Sequence, residues 1–244
     1  MNLIIDIGNT LTKLFAFQDG EPVEELRSEG HDLSALASFA MRHPFKAGII
    51  SSVVDLTEAA RERLEQLPFP VLTLTPATAT PIRNLYRTPT TLGSDRLAAA
   101  IGAHTLKQGH PLLIIDAGSC ITFDFVSAEG DYVGGNISLG LHARLRALDE
   151  YFPRLPKVEA EGDVPELGYD TTTALRAGVI QGMRHEIEGY IRHFRQKYAD
   201  LLVFLTGGDE INFDSTIKSL IFADHFIVAR GLNAILVHNR SLLH

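Results

Sequence analysis

Residues 1–13 read MNLIIDIGNTLTK, and the reading of this stretch decides the fold. Leu3, Ile4 and Ile5 form a short apolar run suited to a buried strand. The run gives way to Asp6-Ile7-Gly8-Asn9-Thr10, and a second β-like run follows from Leu11 to Phe17. That is the pattern of a hairpin with a tight polar turn. An acid beside a Gly, an Asn and a Thr supplies a metal-facing carboxylate, a backbone open to close approach and side-chain donors. Lys13 adds a point charge just beyond the turn. Such a turn suits a nucleotide phosphate held by backbone N–H groups. An ordinary hairpin turn carries the same residues, because one glycine-bearing turn is not specific.

A second copy of the pattern begins at Leu112. Residues 112–116, LLIID, run into Ala117-Gly118-Ser119. With Asp6 laid on Asp116 the stretches align without a gap: Gly8 falls on Gly118, Thr12 on Thr122, Phe15 on Phe125, Asp19 on Glu129, Gly20 on Gly130 and Val23 on Val133. Two such units imply an internal duplication. The expected fold is α/β, with two duplicated lobes of mixed sheets flanked by helices and both turns on one cleft. The first lobe would span residues 1–110 and the second 111–244. This plan resembles the phosphate-binding superfold of actin, sugar kinases and heat-shock ATPases, built from ribonuclease H-like lobes.

Composition narrows the function classes. Of 244 residues, 45% are hydrophobic and 21% charged, as in soluble globular proteins. The formal net charge is -8 and no long Lys/Arg run appears, which disfavours nucleic acid as the main partner. The single cysteine, Cys120, excludes an intramolecular disulfide and points to a reducing compartment. It is expected to be a small buried filler, although it follows the second turn closely. The start of the chain has no charged n-region, and no apolar stretch reaches the roughly 18 residues that span a bilayer. The expected location is cytoplasmic, with no membrane contact.

Further along, Pro22–Glu29 suits a third strand, and Asp32 a cap for a helix from Leu33 to about Arg42. A strand over Ala47–Val53, a helix from Asp55 or Thr57 to Leu67 and a strand over Val71–Leu74 complete a βββαβαβ order. Residues 75–92 read as a long irregular segment, a binding loop or a plain connection. Gly93-Ser94-Asp95-Arg96 opens an Ala-rich helix. Ser94 or Asp95 suits an N-cap; alternatively Asp95 is a base at a cleft mouth, with exposed N–H groups to hold an anion. Gly134, Gly135 and Gly140 allow close backbone approach before a helix through Tyr151. Residues 153–170 form an acidic, Pro-bearing loop, and Thr171–Tyr198 one long helix, with a break conceivable near Gly178 or Gly182. Its stripe of Leu175, Val179, Met183, Ile187, Tyr190 and Phe194 suits a core or a second subunit. A strand over Leu201–Leu205 runs into Thr206-Gly207-Gly208-Asp209, a turn like those that bind adenosine, or one that needs Gly for geometry alone. A helix over Arg230–Asn239 closes the chain. The ten histidines form no zinc pattern.

In this order DIGNTLTK, a Tyr-x-x-Pro loop, GSDR, DAGSCITFD, GGNISLGL, an Asp-Thr at a helix start and TGGD resemble the type III pantothenate kinases, a family of the actin-like superfold. The resemblance runs from Asn2 to about Asn233, and GSDR after YRTP, followed by DAGS, makes it specific. It implies ATP-dependent phosphorylation of pantothenate, the first step of coenzyme A biosynthesis. Asp6, Ile7, Gly8, Asn9, Thr10, Leu11, Thr12 and Lys13 match the first phosphate loop, and Ser119 the second loop's hydroxyl. Gly93, Ser94, Asp95 and Arg96 match the pantothenate segment, with Asp95 as catalytic proton acceptor. Tyr86 matches a pocket tyrosine, and Thr171 a threonine that reaches pantothenate across a homodimer interface. Asp116 matches a potassium (or ammonium) ligand, and Asp6 is expected to act on Mg²⁺ through water. Two positions depart from the family habit: Ser119 stands where Thr is frequent, and Leu139 where Pro is. The first keeps the hydroxyl, and the second changes loop stiffness.

Two other readings have distinct signatures. Another actin-fold small-molecule kinase would share the phosphate turns but not the Tyr86–Arg96 segment. A transcription accessory protein would bind DNA or a regulator without turnover, which the acidic balance and the retained Asp6, Asp95 and Asp116 disfavour.

Overall fold

The computed structural model describes residues 1–9, 11–208 and 219–243; Thr10 and Asp209 of the motifs above lie outside the described residues. In chain order the elements are β1 (Asn2–Ile7), β2 (Leu11–Gln18), β3 (Glu21–Glu29), α1 (Leu36–Ala40), β4 (Ala47–Ser52), α2 (Glu58–Glu65), β5 (Val71–Thr73), β6 (Arg83–Asn84), α3 (Ser94–Leu106), β7 (Leu112–Ala117), β8 (Cys120–Val126), β9 (Asp131–Leu139), α4 (Leu141–Tyr151), α5 (Thr171–Lys197), β10 (Leu202–Gly207), β11 (Ile221–Ala223) and α6 (Ile227–His238).

Two sheets repeat one topology. The first has strand order β3-β2-β1-β4-β5, and the second β11-β10-β7-β8-β9-β6. In each, the leading strand pairs antiparallel with the next strand and parallel with the third neighbour, β1 with β2 and β4, β7 with β8 and β10. Strand β6 is an addition, pairing with Asp131 and Tyr132 at the start of β9. The duplication therefore exists in the backbone. It is not gapless, however. Asp6 pairs with Lys13, seven residues on, whereas Asp116 pairs with Thr122, six residues on. The second turn is one residue tighter, so on the second strand of each hairpin the ungapped alignment is displaced by one position.

The chain divides into two compact units. One comprises residues 1–109, 129–133 and 226–244, the other 110–128 and 134–225. The sequence division at residue 110 assigns the closing helix to the second lobe, but α6 packs in the first unit. The reason is glycine: a Cβ on Gly231 would overlap the Ala98 carbonyl, and one on Gly102 the Ile227 carbonyl. Helices α3 and α6 thus meet backbone to backbone.

In the first unit β1 is buried on both faces. Leu3, Ile5 and Ile7 join Leu36, Phe39 and Ala60 in one core cluster. By alternation Asn2, Ile4 and Asp6 turn to the other face, where Asn2 bonds to Asn233 of α6. Helix α1 is shorter than the sequence suggests. Leu33 has φ 58°, Asp32 accepts the Ser34 N–H, and the helix starts only after Ala35. Helix α2 begins at the predicted Thr57, whose hydroxyl accepts the Ala60 N–H at 3.1 Å. In the second unit Leu113, Ile115, Phe123 and Phe125 pack on Met183, Ile187 and Ile191 of an unbroken α5. Asp116 lies on the opposite face of β7.

Candidate active site

In the first unit the site sits at the carboxyl ends of β1 and β4. Register places Lys13 on one flank of Asp6 and Ser51 on the other. The turn closes with the Gly8 N–H donating to the Leu11 carbonyl at 3.0 Å. The Ser51 hydroxyl donates to the Ser94 hydroxyl at 2.8 Å, tying β4 to the first residue of α3. The N-cap of α3 is Gly93, which makes no side-chain cap, so neither Ser94 nor Asp95 serves as one. The Asp95 carboxylate instead folds back on the chain. It accepts the Arg96 N–H at 2.8 Å and lies 2.5 Å from where a Cβ on Gly93 would stand. Any side chain at 93 would displace it.

Electrostatics bind these residues together. Burial raises the Asp6 carboxyl from its ordinary 3.8 to about 6; Lys13 opposes the rise and the Asp95 charge adds to it. Asp6 retains some solvent-facing surface, so the depth of surrounding protein produces the shift.

The segment before α3 forms a wall. Arg96 is buried, and its guanidinium lies over the Tyr86 ring at 5.9 Å. Tyr86 packs on Tyr132 with centroids 6.1 Å apart and donates its N–H to Asn84 at 2.9 Å. Arg83 and Asp131 clamp β6 to β9 through two hydrogen bonds of 2.7 and 2.6 Å. The long irregular segment is thus pinned by a short parallel strand.

The second unit repeats the first turn with altered chemistry. Asp116 is flanked by Thr122 of β8 and Thr206 of β10. Gly118 donates its N–H to the Cys120 carbonyl at 3.0 Å, and Gly140 donates to the Ser119 carbonyl at 3.2 Å. A Cβ on Gly140 would overlap the Gly118 carbonyl, and one on Gly207, at φ 108°, the Ala117 carbonyl. Two glycines from separate elements press against this turn. Ser119 is exposed at its tip, and so is Cys120. The expectation of a buried cysteine fails because Cys120 opens β8 at the turn, ahead of the core.

A family model for type III pantothenate kinase matches residues 2–193. The chain belongs to that family. A type III pantothenate kinase from Phocaeicola vulgatus is 53% identical over 99% of this chain and 100% of its own. Among solved structures, a protein described as a Baf family transcriptional activator from Campylobacter jejuni has TM-score 0.61 at 23% identity, over 98% of this chain and 99% of that one. A ROK family glucokinase from Streptomyces griseus, in complex with glucose and AMPPNP, has TM-score 0.51 at 13% identity over 98% and 99%. Both structures speak to the fold alone.

As in its sequence motifs, this pantothenate kinase family member groups Asp6, Gly8, Lys13, Ser94 and Asp95 in one unit. Other motif residues have structural tasks. Ile7 is wholly buried and offers only its backbone, and the Thr12 hydroxyl donates to the Gly30 carbonyl at 2.7 Å. Asn9 is exposed at the turn and Leu11 half-buried. Thr171 is exposed at the first turn of α5, just after Asp170, which forms a capping box with Thr173. Sequence reasoning missed Ser51, and it read Thr206 only as part of a turn rather than as the neighbour of Asp116; the two residues end the matched runs GIIS and VFLT. The signal was a hydroxyl at the same place in two apolar strands.

Proposed function

We propose that this family member transfers the γ-phosphoryl group of ATP to the primary hydroxyl of pantothenate. The observation that carries the reading is the row Lys13–Asp6–Ser51, joined through Ser94 to Asp95. In this reading the N–H groups of the first turn and Lys13 hold the nucleotide's phosphates, and Ser119 contributes its hydroxyl from the second turn. Phosphoryl transfer depends mainly on positioning and charge stabilisation. Asp95 orients the pantothenate hydroxyl and accepts its proton as the oxygen bonds to phosphorus and the bond to ADP breaks. Tyr86 and Arg96 line the acceptor's pocket, and Thr171 serves the acceptor bound by a partner copy.

Asp6 fits Mg²⁺, which keeps most of its waters and needs one carboxylate plus phosphate oxygens. At pH 7 its carboxyl is mainly ionised despite the raised value. Asp116 fits potassium, since its strand neighbours Thr122 and Thr206 also carry oxygen. Bound there, the cations supply positive charge against the phosphates.

The family member is proposed to work as a homodimer through α4 and α5. An apolar groove of about 670 Å³ runs between them, lined by Leu139, Leu148, Tyr151, Phe152 and Val179. Tyr151 is 77% exposed and Phe152 55%, and a second copy would cover both. No helix among the described residues is long and apolar enough to cross a membrane. A transcription role draws only on the fold of the Campylobacter jejuni protein and is not favoured.

The test is ADP release with ATP, Mg²⁺ and pantothenate, in potassium and in sodium alone. Turnover that needs both pantothenate and potassium supports the substrate and the Asp116 site together. Turnover without pantothenate dependence, or on sugars instead, rejects the reading.

A further inference from the structure

We propose that the first unit carries a second small-molecule site, for a nucleoside monophosphate, at the end of β1 and α3 remote from Asp6 and Asp95. A cavity of about 810 Å³ opens there, within the size range of ligand pockets. Its floor is a pair of amides. Asn2 Nδ2 donates to Asn233 Oδ1 at 2.7 Å, and the two residues are only 8% and 7% exposed. Asn2 Oδ1 and Asn233 Nδ2 have no hydrogen-bond partner among the described residues. Neither atom is among the fully buried unpartnered ones, so both keep some accessible surface although their residues are more than nine-tenths buried. Both residues line the cavity, so one acceptor and one donor are left for a ligand there, and reversing both amides preserves that pattern. A donor beside an acceptor matches the edge of a nucleobase, as when Asn pairs with the N6 and N7 of adenine.

The remainder of the cavity agrees with this occupant. Phe17, Leu106 and Val237 give it apolar walls against which a base ring packs. Lys46 and Arg240 stand on the rim, and neither has an ion-pair partner among the described residues, in a chain of net charge -8. Arg230 is engaged by Glu21 at 2.9 Å, so that pair adds no net charge. Asp19 shares the rim, which leaves a small positive excess. That excess suits one phosphate better than a triphosphate. The site stands independently of the assignment of ATP to the first turn.

Equilibrium dialysis of the full chain against labelled AMP tests it, with melting temperatures as a folding check. The wild type is expected to retain AMP. K46E/R240E is expected to weaken retention roughly tenfold or more, because two charge-assisted phosphate contacts are reversed. Its pantothenate-dependent ADP release, measured without AMP, should stay at the wild-type level. Lys13→Ala, which alters only the first turn, should keep AMP binding. Ribose 5-phosphate, which lacks the base, should bind roughly tenfold more weakly than AMP. The proposal is overturned if AMP is not retained, if K46E/R240E binds it as well as the wild type, if Lys13→Ala abolishes retention, or if ribose 5-phosphate binds as tightly.

Discussion

Asp6 stands directly across the β1–β2 hairpin from Lys13. The corresponding position opposite Asp116 is Thr122, because the second turn is one residue shorter. One aspartate of the duplicated pair therefore has a cation beside it and the other a hydroxyl. Under the proposed function, that difference would assign phosphate charge to the first unit and a monovalent cation to the second.

Lys13→Ala should lower kcat/KM for ATP by about 10²–10³, the scale of losing one preorganised charge donor. It should also move the acid limb of the activity profile to higher pH, because Lys13 is the group that restrains the Asp6 carboxyl at about 6. A pH profile over 5–9 checks both effects; an unmoved acid limb would separate Lys13 from Asp6.

Asp6→Asn should abolish turnover and stabilise the protein at neutral pH. The sign follows from linkage. The folded carboxyl binds its proton more tightly than the unfolded one, so the wild type is favoured at low pH and loses stability as pH rises from about 4 to about 6. Above that window the deficit is constant, on the order of 1–2 kcal/mol after discounting for solvent screening. Melting curves at pH 4, 6 and 8 should show Asp6→Asn gaining on the wild type, with the gain complete near pH 7.

Asp95→Asn should reduce turnover by about 10²–10⁴ while the protein stays folded, as for loss of a general base. Removing the Asp95 charge should also lower the Asp6 carboxyl, since that charge contributes to its rise. Carboxyl chemical shifts followed through a titration read the second effect. Full activity in a well-folded variant would remove Asp95 from the reaction.

Gly140→Ala should destabilise by about 1–3 kcal/mol and weaken nucleotide binding, because the new methyl overlaps the Gly118 carbonyl. Gly189→Ala is the contrast. Its Cβ meets nothing within 4 Å in α5, so it should stabilise by roughly 0.5–1 kcal/mol. Denaturant midpoints with unchanged slopes would establish both signs.

Tyr151→Glu with Phe152→Glu should convert a dimer to a monomer in sedimentation, since both side chains flank the groove between α4 and α5. A sedimentation coefficient equal to that of the wild type would place the interface elsewhere.

The sequence by itself determined the duplicated hairpins, a helix start at Asp55 or Thr57, a long helix from Thr171 and the family; the structure chose Thr57, left α5 unbroken and made Asp170 its cap. These features are local: a cap, a turn glycine or an apolar period is written in neighbouring residues. It also supplied Asp6, Lys13 and Asp95 as a candidate set, because the motif order preserves them. Only the tertiary structure decided which residues stand beside them. Ser51 reaches Ser94 across 43 positions of chain, and strand register makes Thr206 the neighbour of Asp116. The closing helix joins the first unit because Gly102 and Gly231 permit backbone contact that a period of apolar residues does not reveal. The Thr12 hydroxyl, in sequence part of the phosphate motif, is occupied by Gly30. A linear motif fixes which chemical groups are available; long-range pairing fixes their partners, and the partners set charge, reach and reactivity.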